Sequence, residues 1–307
     1  LGFPNIISGK HTDGSLPKIL WVAKGGADAA GATGVSAQGS RSEPFLTIGG
    51  ASGALMYTVD GRGDRIIVGP GIWRENLDFG SGTGTTGSAG RMNKRDIGIF
   101  GSGGAHSGRV QIVGDGTTTG PTIRVRDGYL RGFILADLEV GSVDTDDADR
   151  AQFGIDLTTN DTGTLTANSS DEWAVLRNVR LDGGATGVVG LYLTGTTMVR
   201  CYGLEVTGWT FGIGLRGSNS NFPDHCKVWD AEFQDNVTAD VATLINSPEG
   251  NYGTPAAGSV NLTNITFIRP VFKDRGGTPV TNYVNFVGTH VNVGFYEFVA
   301  ARDVADD

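Results

Sequence analysis

The stretch MVRCYGLEVTG, residues 198–208, decides the fold, because its pattern recurs although its residues barely repeat. The pattern alternates apolar and variable residues, passes through Asp, Asn or Gly, and then alternates again. It is found in FILADLEVG from residue 133, AVLRNVRLDG from 174, CKVWDAEFQ from 226 and VNLTNITFI from 260. The central residues of the five segments are Asp137, Asn178, Gly203, Asp230 and Asn264.

The spacing of these centres is 41, 25, 27 and 34 residues, and repeats of roughly 20 to 50 residues are typical of solenoids. Alternation on both sides predicts strands with one buried face. Asp, Asn and Gly tolerate the left-handed backbone region, so each centre predicts a one-residue corner between two strands. A third strand follows each segment. The sequence therefore predicts an all-β parallel β-helix with three strands per rung, with an interior column of Leu138, Val179, Leu204, Ala231 and Ile265.

Composition narrows the classes of partner. The 307 residues carry a net charge of −9 and contain no run of Lys or Arg, so no nucleic-acid partner is predicted, because phosphate binding needs a basic face. No apolar run approaches the roughly 18 residues of a membrane span, so no membrane insertion is predicted. Residues 1–20 lack the pattern of a secretory signal. Cys201 and Cys226 fall in apolar columns with Cα atoms about 8 Å apart, which predicts buried free thiols.

The amino-terminal third contains ILWVAKGGADAAG (19–31), EPFLTIGGA (43–51) and GDRIIVGPGIWREN (63–76). These segments resemble the opening of right-handed β-helix proteins of the pectate-lyase-like superfamily, whose I-x-V-x-P-G-x-Y-x-E strand is matched with Trp73 at the aromatic position. Within this superfamily, the chain is most similar to the phage tailspike and fibre proteins. The resemblance implies an N-terminal arm (1–18), a first strand and capping segment (19–64) with a short helix over 49–59, a β-helix (65–298) and a tail (299–307).

Charged residues at the outward position after each corner form one candidate catalytic site. Glu139, Arg180, Glu205, Glu232 and Thr266 are predicted to stack, so that Glu205 and Glu232 face each other without a cation. Adjacent carboxylates raise the pKa of one of them, as a general acid requires, and a separation of about 5 Å suits a retaining glycosidase. The alternative is a surface charge ladder.

A second candidate is the acidic run that contains Asp144, Asp146, Asp147 and Asp149. Alternating carboxylates on a loop can supply several of the oxygens that calcium needs, and Asp147 is a third catalytic candidate beside Glu205 and Glu232. The run lacks the glycine and the final Glu of an EF-hand loop, so the alternative is a solvated loop. Apart from this calcium ion, no cofactor is predicted.

Three long excursions, 158–173, 217–226 and 246–259, leave the predicted helix at the same point of their rungs. Loops in one column can line one edge of a groove, where binding residues concentrate. The sequence places glycan-binding groups or subunit contacts there, because aromatic loop residues suit both roles. They are Asp171, Glu172, Trp173, Phe222 and Tyr252.

Function is less determined than fold, because enzymes, adhesins and phage spikes share this architecture. The sequence shows Gly/Thr/Asn-rich rungs and no complete catalytic set, which favours a non-enzymatic structural or receptor- and glycan-binding subunit of a phage virion. Such a subunit is predicted to be a homotrimer in the virion or outside the cell, in contact with other virion proteins and a host surface polysaccharide. The alternatives are a polysaccharide lyase, glycoside hydrolase or epimerase that uses surface Asp and Glu residues, and a bacterial surface adhesin.

Overall fold

A computed structural model of the chain describes residues 16–28, 39–50, 53–79, 95–103, 109–115, 121–126, 131–141, 153–158, 173–184, 187–196, 198–216, 223–244, 261–274, 281–286 and 289–302. These residues form one 3-10 turn, Ala54–Tyr57, and a series of short strands. The strands are β1 (Ile19–Val22), β2 (Arg65–Val68), β3 (Gly71–Arg74), β4 (Leu77–Phe79), β5 (Gly98–Gly101), β6 (Val110–Val113), β7 (Pro121–Arg126), β8 (Phe133–Gly141), β9 (Phe153–Thr158), β10 (Ala174–Asp182), β11 (Val189–Thr194), β12 (Val199–Tyr202), β13 (Glu205–Thr207), β14 (Phe211–Arg216), β15 (Lys227–Trp229), β16 (Glu232–Gln234), β17 (Ala239–Thr243), β18 (Asn261–Thr263), β19 (Thr266–Ile268), β20 (Val271–Asp274), β21 (Asn282–Asn285), β22 (Thr289–Val291), β23 (Gly294–Tyr296) and β24 (Val299–Arg302).

Parallel pairing between successive turns arranges these strands in three long faces, apart from β18 and β22, which pair with each other in a separate two-stranded sheet. Face 1 runs through β1, β2, β5, the first half of β8 and β10, β12, β15, β19 and β23. Face 2 contains β3, β6, the second half of β8 and β10, β13, β16, β20 and β24. Face 3 contains β4, β7, β9, β11, β14, β17 and β21. This is the predicted right-handed parallel β-helix with three strands per rung.

The corner between faces 1 and 2 is a ladder of residues with left-handed backbone. Asp137 (φ 59°), Asn178 (φ 48°), Gly203 (φ 61°) and Asp230 (φ 54°) occupy it in consecutive rungs, as predicted. Asn178 Nδ2 donates a hydrogen bond of 2.9 Å to Asp137 Oδ1 across the ladder. Local side-chain bonds and left-handed backbone therefore coincide at the residues where the chain turns.

The fifth predicted corner, Asn264, is a corner, but it lies on a different edge of the helix from the other four. Asn264 has φ 51°, but it follows β18 and stacks on His225, at the corner that precedes face 1. Arg269 (φ 53°) occupies the ladder between faces 1 and 2 instead. At both kinds of corner a strand is followed by one left-handed residue and then by another strand, so the sequence pattern by itself cannot distinguish them. In consequence Thr266 pairs with Lys227 on face 1 and not with Glu232 on face 2.

The interior is filled by stacked side chains of one class per column. Leu138, Val179, Leu204 and Ala231 are all buried, whereas the next position of this column is Pro270, because of the shift described above. Phe267 and Phe295 stack with ring centroids 4.6 Å apart. Such columns remove apolar area from water on every rung, which is the main source of stability in a solenoid.

Cys201 and Cys226 are buried free thiols, as predicted. Burial raises the pKa of the Cys226 thiol to about 11 and raises that of Cys201 as well. Thiolate is the reactive form of cysteine, so both side chains pack as small apolar groups.

The two ends of the helix differ from the prediction. At the start, β1 pairs with β2 in register, but the capping helix predicted over 49–59 is not confirmed, because the described part of that segment contains one 3-10 turn. Glu75, the last residue of the resembling strand motif, accepts hydrogen bonds from the backbone N–H of Ile48 and Gly49 and so holds this segment. At the other end, β24 pairs with β20, so the helix continues past residue 298 into the predicted tail.

Candidate functional site

The outward column of face 2 brings together most of the predicted charged stack. Gln111, Glu139, Arg180, Glu205 and Glu232 are register partners on consecutive rungs. Register partners in parallel strands lie about 4.8 Å apart. The next position of the column is Val271, not Thr266.

Cations neutralise the two carboxylates that were predicted to face each other unpaired. Arg180 Nε lies 3.5 Å from Glu205 Oε1, and its Nη2 lies 3.2 Å from Asp182 Oδ2. Lys273 Nζ lies 2.7 Å from Glu232 Oε1, reaching across from the following rung. The expected Glu205–Glu232 repulsion is therefore relieved, and the prediction that one of these two is the acid loses its physical basis.

Glu139 is the unusual carboxyl of the column. It is 1% exposed, and Gln111 Nε2 donates a hydrogen bond of 2.7 Å to its Oε1. Its buried Oε2 accepts no hydrogen bond from the described residues. The nearest cations to Oε2 are Arg109 Nη1 at 3.6 Å and Arg180 Nε at 3.9 Å, both beyond hydrogen-bond distance.

Burial raises the pKa of Glu139 above its ordinary value of 4.5, although Arg109 and Arg180 act to lower it. A carboxyl whose charged form is poorly solvated keeps a proton to higher pH, as a general acid does. Beside it, Glu205 is 29% exposed and ion-paired. The column thus combines a buried carboxyl whose pKa is raised with a partly exposed, ion-paired carboxyl, and Arg180 lies between them.

Sequence reasoning placed Glu139 in the stack but did not select it. The missing signal was Gln111, which lies on a rung before the first of the five segments and supplies a neutral hydrogen bond where a cation would otherwise hold the carboxylate charged. In RVQIVGDG (109–116) Gln111 occupies the outward place of an alternating strand, but its partner is 28 residues away.

A second polar cluster, which sequence reasoning missed, lies on the outer side of face 3. Arg124 Nε is 3.2 Å from Asp156 Oδ2, and both side chains are at most 10% exposed. Thr158 Oγ1 donates to Asp156 Oδ1. In the sequence each of these charges is isolated within an apolar strand, so nothing but the register shows that they meet.

This face is closed in the structure. Tyr192, next to Asp156 in the column, is fully buried, and burial raises the pKa of its phenol. An apolar cluster continues along the same outer side: Phe153, Val189, Tyr192, Phe211, Ala239, Ala242 and Leu244. Face 3 therefore has buried residues on both of its sides, and the accessible carboxylates lie on face 2.

The remaining predicted site residues fall mostly outside the described part of the chain. This holds for Asp144, Asp146, Asp147, Asp149, Asp171, Glu172, Phe222 and Tyr252. Trp173 is half-buried directly before β10, where its carbonyl accepts a 3.0 Å hydrogen bond from Gly132 N–H. The strands that precede the three excursions, β9, β14 and β17, all belong to face 3.

Within the described ranges, no three His, Cys, Asp or Glu side chains are grouped so that they could hold a metal ion. The same ranges contain no helix with the length and apolar character needed to cross a bilayer.

Comparison with known proteins gives structural neighbours only. No protein-family model matches the chain. A search of curated sequences finds no match either. Among solved structures, pectate lyase Pel9A matches with a TM-score of 0.47 and 13% identity over 91% of this chain and 79% of its own. Pectin methylesterase PemA from Erwinia chrysanthemi matches with a TM-score of 0.42 and 11% identity over 92% and 89%. The rice weevil pectin methylesterase matches with a TM-score of 0.40 and 10% identity over 77% and 81%.

Proposed function

We propose that the protein cleaves glycosidic bonds of a polysaccharide on face 2, with Glu139 as the proton donor and Glu205 as the second carboxylate. The observation that carries this proposal is the environment of Glu139: a buried carboxyl with a raised pKa, one oxygen of which accepts no hydrogen bond from the described residues, in a column that also contains the partly exposed Glu205. Glycoside hydrolysis uses two carboxyl groups, of which one donates a proton and the other acts as a base or nucleophile.

The roles follow from the chemistry of the bond. Proton transfer from Glu139 to the glycosidic oxygen lets the leaving sugar depart as a neutral alcohol. The sugar ring left behind develops positive charge at its anomeric carbon. Glu205 lies two rungs, about 9.6 Å, from Glu139, which leaves room for a water molecule; Glu205 accepts a proton from this water while the water oxygen bonds to the anomeric carbon. Glu139 is 1% exposed, so neighbouring side chains must shift for this transfer; Arg180, whose Nε lies 3.9 Å from Oε2, is one of them.

The substrate class that suits the column is a polysaccharide that carries carboxylates. Arg109 is 55% exposed and only loosely associated with Glu139. A sugar carboxylate can form a shorter, bidentate pair with a guanidinium, since Arg is well shaped for carboxylate. Binding would thus draw Arg109 and Arg180 away from Glu139 and raise the pKa of its carboxyl further in the complex.

The test is release of reducing ends from a panel of uronate-containing and neutral polysaccharides by the full chain and two variants. Glu139→Gln keeps the size and the hydrogen bond to Gln111 but has no proton to donate, so we expect a loss of about 10²- to 10⁴-fold. Glu43→Gln is the matched control, because Glu43 is exposed and lies in the amino-terminal segment. An undiminished cleavage rate in the Glu139→Gln variant would overturn the assignment. A product with an unsaturated sugar, seen by its ultraviolet absorbance, would indicate a lyase instead of a hydrolase.

A non-enzymatic glycan-binding subunit of a phage virion spike or fibre is the second candidate function, with localisation in the virion or outside the cell. The observation that favours it is the outward column of face 1 that contains Tyr202 and Trp229, whose rings stack and are partly exposed. Binding of a polysaccharide without cleavage by the wild type would select this candidate.

A further inference from the structure

Two cations on the outer side of face 1 are stacked on each other. Arg200 and Lys227 are register partners on consecutive rungs, and both side chains are exposed. Register partners in parallel strands lie about 4.8 Å apart, and like charges opposite each other destabilise a sheet. Neither side chain has an ion-pair partner within the described part of the chain. The pair therefore keeps two positive charges that the protein itself does not balance.

The same two rungs contain a second stacked pair of like charges, which is balanced. Glu205 and Glu232 are register partners on face 2. Arg180 Nε lies 3.5 Å from Glu205 Oε1, and Lys273 Nζ lies 2.7 Å from Glu232 Oε1. The stacked carboxylates thus have counter-ions from the neighbouring rungs, whereas the stacked cations on face 1 have none among the described residues.

The carboxylates that flank the cation pair do not compensate it. Asp224 and Asp230 lie on the two sides of β15, the strand that contains Lys227. Arg269 Nε lies 2.7 Å from Asp230 Oδ1, and His225 Nδ1 lies 3.0 Å from Asp224 Oδ2. The chain as a whole carries a net charge of −9. A local excess of positive charge on an acidic protein indicates a site for an external anion.

The side chains around the pair narrow the class of anion. The planar guanidinium of Arg200 can bind a carboxylate through two parallel hydrogen bonds, and the ammonium of Lys227 is a point charge. Thr266 follows Lys227 in the column and supplies a hydroxyl group. At the next outward position of the same two strands lie the partly exposed, stacked rings of Tyr202 and Trp229. A ligand with acidic, hydroxyl and C–H groups side by side, such as an acidic sugar, suits these neighbours.

We propose that Arg200 and Lys227 form a second binding site, on face 1, for the acidic polysaccharide that is cleaved on face 2; this inference rests on the proposed function. A polysaccharide presents acidic groups at repeated intervals, which suits cations on consecutive rungs. Arg200 and Glu205 are five residues apart on one rung, so their Cα atoms are at most about 18 Å apart. One polymer molecule can therefore occupy both sites, and binding at two linked sites raises the effective concentration of the chain at face 2.

The test is calorimetric titration with a uronate homopolymer, in a Glu139→Gln background chosen so that the polymer stays intact. We expect binding that weakens as salt is raised, and no binding of neutral dextran. Adding Arg200→Gln or Lys227→Gln should each lower the affinity about tenfold, because each removes a charge-assisted hydrogen bond. Arg95→Gln is the matched control: it also removes an exposed cation, but one that is already paired with Asp60, so the affinity should stay unchanged.

Kinetics separate this inference from the proposed function. With Glu139 intact, Lys227→Gln should raise KM for the long polymer and leave kcat unchanged, with no effect on a short oligosaccharide that occupies face 2 alone. If Glu139→Gln abolishes cleavage but Arg200→Gln and Lys227→Gln leave the affinity unchanged, the second site is wrong and the proposed function stands. If the two variants weaken binding of a polymer that the wild type does not cleave, the site stands and the proposed function is wrong. Binding of phosphatidylserine vesicles in place of the polymer, abolished by Lys227→Gln, would overturn the assignment to a polysaccharide.

Discussion

The outer columns on the two sides of the corner ladder share their backbone geometry and differ in chemistry. Tyr202 and Glu205 lie on the two sides of the corner at Gly203 in one rung, yet Tyr202 stacks with an aromatic register partner, Trp229, and Glu205 belongs to the carboxylate column. The inward residues beside them, Cys201 and Leu204, are both buried. The fold therefore constrains the inward class on every rung, and the outward class is free to carry function.

Stacking of equivalent side chains on successive rungs has opposite energetic effects in the two columns. In a parallel helix each side chain has its equivalents as neighbours, at about 4.8 Å. For aromatic groups this is favourable, as the parallel Tyr202 and Trp229 rings show. For carboxylates it is not, so the charged column alternates Glu139, Arg180 and Glu205 and recruits a cation from an adjacent rung where two glutamates meet. At Glu139 the hydrogen bond comes from a neutral partner, Gln111, and the nearest guanidinium nitrogens lie 3.6 and 3.9 Å away.

The largest expected effect is the difference in stability loss between removing an inward and an outward aromatic side chain. Phe267→Ala should lower the free energy of unfolding by about 3–5 kcal/mol, because it removes a fully buried ring and leaves a cavity. Trp229→Ala should lower it by about 1 kcal/mol, the value of a stacked aromatic pair. Chemical denaturation with a common slope measures both. Equal losses would mean that the outward Trp229 contributes to the core as much as the inward Phe267 does.

A smaller effect is expected at the ladder that separates the columns. Asn178→Val should lower the free energy of unfolding by about 2–3 kcal/mol, because a β-branched residue at φ 48° is strained and the hydrogen bond to Asp137 is lost. Asn178→Gly is the control, since it loses the bond but tolerates the backbone. If valine and glycine behave alike in denaturant titrations, the left-handed corner is not what positions the two columns.

The smallest effect concerns pH and the carboxylate column. Burial raises the pKa of Glu139 in the folded state, so the folded protein binds more protons than the unfolded chain above pH 4.5. The contribution of Glu139 to stability is therefore fully present below the pKa of the unfolded state and is lost as pH rises through the folded-state pKa. Glu139→Gln should flatten this dependence and change stability at pH 7 by less than about 1 kcal/mol, since its hydrogen bond is kept.

Unfolding free energies between pH 4 and 8 give the comparison. Glu75 and Asp96, whose pKa values are also raised by burial, leave a residual slope in the variant. The matched variant is Glu232→Gln, which removes a carboxyl of the same column that is paired with Lys273 and only partly buried, so the two variants compare a buried with a partly exposed carboxyl. A slope that Glu139→Gln does not alter would show that Glu139 is ionised across this range, and with it the proposed acid would fail.

Much of the fold follows from local features. The alternation around Asp137, Asn178, Gly203 and Asp230 specifies strands and corners, because side-chain direction and left-handed backbone are properties of neighbouring residues. Asn264 shows the limit of this reasoning: it is a corner, but of the other ladder. The local pattern identifies a corner without identifying which of the corners of a rung it forms.

The candidate site was predictable only in part. Glu139, Arg180, Glu205 and Glu232 share a column because their places relative to the corners are the same. Which neighbour each one meets depends on register across rungs, and rungs are separated by excursions of unequal length that the pattern does not encode.

The sequence by itself thus determined the rung, its corners and the class of residue that points inward, since these arise from interactions within a few residues. The tertiary structure alone decided that Gln111 meets Glu139, that Lys273 meets Glu232 and that Arg124 meets Asp156. These pairs lie 28 to 41 residues apart along the chain. Burial and partner charge set the chemistry of a carboxyl, and both are properties of the assembled rungs.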